Sequence, residues 1–184
     1  MKWSTAGRTI AAIAALTLAL TATAANAQPQ TKGRTDPGVT ALRTCDGGVQ
    51  RQSLVTTQNT PTTIEESSVA TALPGAQRTF TTSEEEQVRV TFAAEAILIG
   101  AAFDTEPAAD SIGVEIRIDG LVLPGTGDLA FASGTFGSNA TLVCARIPAG
   151  EHTVQVFWQV FDTSSNDVLQ GRFDDWALDI QINN

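Results

Sequence analysis

From residue 88 onward, apolar and polar side chains alternate with a period of two over run after run, a pattern that suits strands with one buried face and no helix. The longest run is Glu151 to Phe161. Val154, Val156, Trp158 and Val160 share one face with His152, while Thr153, Gln155, Phe157, Gln159 and Phe161 share the other. Ile112, Val114, Ile116 and Ile118 alternate with Gly113, Glu115 and Arg117. Trp176, Leu178, Ile180 and Ile182 alternate with Ala177, Asp179, Gln181 and Asn183, and Val88, Val90 and Phe92 with Arg89 and Thr91. No stretch past Gln28 carries a helical stripe. The expectation is an all-β, antiparallel β-sandwich of jelly-roll type with about eight to ten strands.

Turn signals punctuate these runs. Asp119-Gly120 lies between Ile116-Arg117-Ile118 and Leu121-Val122-Leu123, and reads as a two-residue hairpin turn. Pro148-Ala149-Gly150 separates Thr141–Ile147 from Glu151–Phe161 and reads as a second hairpin. The stretch 162–167 (DTSSND) reads as a polar loop.

The N-terminus has the three parts of a cleavable export signal: basic Lys2 and Arg8, an apolar stretch from Ile10 to Leu20, and Ala25-Asn26-Ala27. The apolar stretch falls short of the roughly 20 residues that span a bilayer. Residues 1–27 are therefore expected to be a signal peptide, 28–48 an extended arm, and 49–184 the sandwich. The short Ala-rich signal is bacterial in style, which implies a secreted or periplasmic product. Its removal takes away Lys2 and Arg8, so 9 of the 11 basic residues remain against 20 acidic ones, a net charge of −11. Such a surface disfavours nucleic acid and anionic membranes as partners. The apolar run from Phe92 to Phe103 is broken by Glu95 and Gly100 and is too short to span. Cys45 and Cys144 are the two cysteines. In an oxidising compartment they are expected to pair, closing a loop of about 100 residues worth roughly 4–5 kcal/mol on a chain-entropy model.

The residues offer little catalytic chemistry. The chain has one histidine and no tyrosine. His152 lies on the apolar face of its strand, two residues past a turn, and is expected to cap the core at the rim of the sheet. No Gly-x-Ser-x-Gly elbow occurs, and one histidine cannot supply the usual zinc set. Paired carboxylates would suffice for glycoside hydrolysis. However, adjacent Asp174 and Asp175 are expected on opposite faces of a strand, Glu84, Glu85 and Glu86 look solvated, and outward-facing Glu95 suits an arginine partner. No cofactor is expected. Asp162, Ser164, Asn166 and Asp167 begin like a calcium loop, but Asp167 and Phe173 stand where its glycine and closing glutamate belong. Asp104, Glu106 and Asp110 share another acidic loop. Trp158 and Trp176 fall on apolar faces and are expected in the core rather than on a sugar-binding surface. Phe157 and Phe161 occupy an otherwise polar face, so they are either covered or form a contact surface. Asn139-Ala140-Thr141 is a formal glycosylation sequon, meaningful only in a eukaryotic pathway.

Two segments, 114–120 (VEIRIDG) and 147–156 (IPAGEHTVQV), carry a resemblance. With them the region from about residue 78 to 183 resembles secreted bacterial jelly-roll proteins similar to the tumour necrosis factor and complement globular-head families. The resemblance implies a jelly roll and carries no catalytic or ligand residue; the aromatic-rich closing strand of those families is missing here. The functional expectation is a non-catalytic exported sandwich that acts by binding or assembly, homo-oligomerisation included. The alternatives are a glycan-binding module assisted by calcium and a carboxylate-dependent hydrolase.

Overall fold

The computed structural model describes residues 39–42, 45, 47–67, 69–100, 110–124, 126, 130–132, 136–162 and 169–184. The export signal, residues 28–38 of the arm, and Asp104 and Glu106 lie outside them. Eleven strands are seen: β1 (Thr40–Leu42), β2 (Gln50–Gln58), β3 (Thr62–Glu65), β4 (Thr71–Thr82), β5 (Glu86–Ile99), β6 (Ser111–Ile118), β7 (Leu121–Val122), β8 (Ala130–Ala132), β9 (Gly137–Ile147), β10 (Gly150–Phe161) and β11 (Gln170–Asn183). β1 falls within the segment expected to be an extended arm and pairs with β9.

The strands form two antiparallel sheets. The six-stranded sheet runs β1-β9-β5-β11-β2, with β3 following β2 along the same side of β11. The five-stranded sheet runs β4-β10-β6-β7, with β8 also on β6. The pairings are nested: β6 with β7, β5 with β9, β4 with β10, and β2 with β11. A long hairpin rolled into two facing sheets has this nesting, which is the jelly-roll order.

The alternation decides which side chains meet between the sheets. Val88, Val90, Phe92, Ile112, Val114, Ile116, Ile118, Val154, Val156, Trp158, Val160, Leu178, Ile180 and Ile182 are all buried in one core. Trp158 stacks on Phe173 with centroids 4.6 Å apart, and Phe92 contacts both Phe173 and Trp176. Both tryptophans thus serve packing, at about 0.5–1.5 kcal/mol per aromatic pair beyond burial. Gly171 sits where the two sheets approach closely: a Cβ there would lie 2.7 Å from Val160 Cγ2.

Asp119 (φ 52°) and Gly120 (φ 80°) both have positive φ, so the β6–β7 connection is the two-residue hairpin expected. Pro148-Ala149-Gly150 is not a hairpin. β9 pairs with β1 and β5, whereas β10 pairs with β4 and β6, so this turn carries the chain from one sheet to the other. Cys144 in β9 bonds Cys45, with Cα atoms 5.6 Å apart, and ties the segment after β1 to the six-stranded sheet.

Candidate functional site

The sandwich has two outer faces, and they differ. On the five-stranded sheet, Phe157 and Phe161 point outward from β10 but are half-buried. The Arg117 guanidinium lies 3.8 Å over the Phe157 ring, and Arg117 also bonds Glu115. Gln159, between the two rings, donates to the Ser67 carbonyl at 2.8 Å. Phe157 is therefore roofed by a cation, an arrangement worth about 0.5–2 kcal/mol depending on desolvation.

The outer face of the six-stranded sheet is barer. Val55 (57 % exposed), Leu142 (43 %) and Ile99 (39 %) lie on it, and Phe136 (53 %) stands just ahead of β9. They account for four of the six large apolar side chains exposed among the described residues. The register builds the floor between them. One row across the strands is Val55, Asp179, Thr91 and Leu142; the next is Thr57, Ala177, Ala93 and Ala140. Small side chains in the middle make this face flat and shallow. Charged groups of both signs lie within it: Asp179 in the first row, Glu95 two residues beyond Ala93 on β5, and Arg89 two residues before Thr91. Asp179 accepts hydrogen bonds from Ser53 and Gln181, and half-buried Glu95 faces Ser138 across the ladder. The sequence signal for this face is the part of the outward set on β5 that follows Arg89: Thr91, Ala93, Glu95, Ile97 and Ile99 contain a single charge. A strand with apolar residues on both faces is either covered on both or presents a surface.

At one end of the sandwich, polar side chains lash the turns together. His152 is 5 % exposed. Its Nδ1 lies 2.7 Å from Asp119 Oδ2 and its Nε2 2.9 Å from the Pro148 carbonyl. Both ring nitrogens face oxygens that accept, which a ring carrying both protons satisfies at both ends and a neutral ring at one. Asp119 Oδ1 also accepts from the Thr153 backbone N–H at 2.7 Å, and Thr82 donates to the Pro148 carbonyl at 2.6 Å. His152 thus binds the β6–β7 turn to the β9–β10 turn while its ring packs beside Phe80.

Two carboxylate expectations change. Glu86 is 1 % exposed rather than solvated, and bonds Arg51 through Nε and Nη2. It shares the parity of Val88 and Val90, so alternation carried one step further places it on the core side. The Glu86 carboxylate in turn raises the Arg51 pKa above its ordinary value. Asp174 and Asp175 do not point to opposite faces. Phe173 and Trp176 are both buried with two residues between them, because the β11–β5 register shifts there. That bulge keeps both aspartates off the core face, and Asp174 is held by Arg172 at 2.5 Å.

Of the calcium-loop candidates, Ser164, Asn166 and Asp167 lie outside the described residues, while Asp162 follows the end of β10. Among the described residues, no three His, Cys, Asp or Glu side chains gather as a metal site would require. A cleft of about 200 Å³ opens between the sheets, lined by Val114, Thr126, Phe131, Asn139 and Thr141 among others. It is smaller than the roughly 300 Å³ at which ligand pockets begin. The Thr126 hydroxyl is already engaged, donating to the Leu123 carbonyl and accepting from the Ile116 N–H. Compared with known proteins, the chain matches no family model and no curated sequence.

Proposed function

We propose that this is an exported, non-catalytic jelly-roll protein that works by binding or assembly, and that its working surface is the outer face of the six-stranded sheet. The observation that carries the reading is that Val55, Leu142 and Ile99 are exposed across one face whose floor is alanine and threonine, with exposed Phe136 just ahead of β9. A shallow, mostly apolar floor that carries a few charges of both signs suits a partner surface that is apolar with isolated polar contacts. The occupied state of His152, with an oxygen at each ring nitrogen, supports the non-catalytic part. The rolled strand order supports a fold-level likeness to the tumour necrosis factor and complement head domains.

The test is a pair of charge insertions on the face, Leu142→Glu and Ala93→Glu, read by binding to partners retained from the protein's own extracellular medium. Both are expected to abolish specific retention while leaving the far-UV spectrum unchanged. Retention equal to wild type, or a hydrolytic activity that Glu95→Gln or Asp175→Asn removes, would overturn the reading.

A further inference from the structure

The free strand edges of the sandwich are unequal. Edge strands invite pairing with other chains, and proteins blunt them with short strands, prolines, bulges and charges. β1 has three residues, β7 two and β8 three. β4 is long but is broken by Pro74 and Gly75, where φ is +79° and the pairing with β10 shifts register. β3 has four residues and ends on Glu65. β2 has none of these guards past its first two residues. From Gln52 to Gln58 it keeps regular register with β11, contains no proline or charge, and pairs on one side only among the described residues.

That seven-residue stretch (52–58, QSLVTTQ) is also nearly its own mirror. Read outward from Val55, it places Leu54 against Thr56, Ser53 against Thr57 and Gln52 against Gln58. The geometry points to a second copy of this chain as the occupant: two β2 strands pairing antiparallel across a two-fold axis at Val55, joining two six-stranded sheets into one. Isologous pairing requires such self-complementarity. Val55, 57 % exposed, then meets its own equivalent, and half-buried Leu54 and Thr56 cover each other on the inner side. Hydroxyl pairs of the Ser53–Thr57 kind favour antiparallel neighbours. Charge permits this edge, as it does the stretch 137–143 (GSNATLV) of β9 that β1 does not reach, but that stretch is not its own mirror. The chain carries a formal net charge of −9, so two copies repel across most contacts, whereas here no carboxylate opposes another. The pairing rests on the reading that the protein works by assembly, but not on what binds the outer face.

Light scattering of the purified protein is expected to give twice the chain mass. Val55→Lys is expected to give the single-chain mass, as is Val55→Glu, with an equimolar mixture of the two restoring the double mass. Val55→Cys is expected to cross-link to itself on mild oxidation, because directly opposed antiparallel residues sit about 4.5–5.5 Å apart, within disulfide range. Ser53→Cys alone is not expected to cross-link. A wild-type protein that stays monomeric at high concentration overturns the pairing, as does a dimer that survives Val55→Lys. If wild type is monomeric yet its partner binding is still lost in Leu142→Glu, the edge pairing alone is wrong and the binding reading stands.

Discussion

His152 shows how one side chain can organise an end of the molecule. Its two ring nitrogens hold the Asp119 carboxylate and the Pro148 carbonyl, which belong to different turns. Truncation to alanine removes a buried ring that packs beside Phe80 and links the two turns, although Thr82 still donates to the Pro148 carbonyl. A loss of about 2–3 kcal/mol is expected for His152→Ala in denaturant unfolding. Asp119→Ala in the same background is expected to cost less than it does alone, because the two residues share one network. Trp158 and Trp176 make a second residue-scale prediction. Both are 2–3 % exposed, so their fluorescence is expected to be blue-shifted and resistant to acrylamide. Addition of oligosaccharides is expected to leave it unchanged, since neither ring is available for stacking.

At the scale of elements, the close approach of the sheets rests on Gly171 in β11. A methyl group there meets Val160 and Ile112 side chains from the opposite sheet at 2.7–3.2 Å. Gly171→Ala is expected to destabilise by about 1–3 kcal/mol through overpacking, measured by thermal unfolding with the fold retained. The bulge two residues later in β11 has a comparable local cause. By inserting one residue between Phe173 and Trp176 it keeps both aromatic rings in the core and leaves Asp174 with Arg172. The positive φ of Gly120 marks the other tightly specified element, the β6–β7 turn. There Gly120→Val is expected to lower stability by about 1 kcal/mol or more because a β-branched residue is strained in that conformation.

At the scale of the whole molecule, the Cys45–Cys144 bond closes a loop with a sequence separation of 99. On the chain-entropy model its removal costs roughly 4–5 kcal/mol. The double variant Cys45→Ser, Cys144→Ser is expected to show that loss in guanidinium unfolding, with the slope altered by a less compact unfolded chain. The rest of the sandwich does not depend on the bond for its topology, since the nested strand pairs and the core account for it.

The sequence by itself determined which residues share a face. Alternation is a property of the extended backbone, so the inward sets of β5, β6, β10 and β11 could be read directly and all are buried. It determined the Asp119-Gly120 hairpin, because few residues tolerate two successive positive φ values. Tertiary structure alone decided which strand lies beside which. Ladder hydrogen bonds come from a backbone common to every residue, so nothing in Pro148-Ala149-Gly150 announces that β9 and β10 lie in different sheets. Tertiary structure also decided that Glu86 finds Arg51 rather than water, and that Arg117 roofs Phe157 while Leu142 and Val55 stay bare. An outward side chain is covered or exposed according to what the rest of the chain places over it, and the period of two carries no information about that.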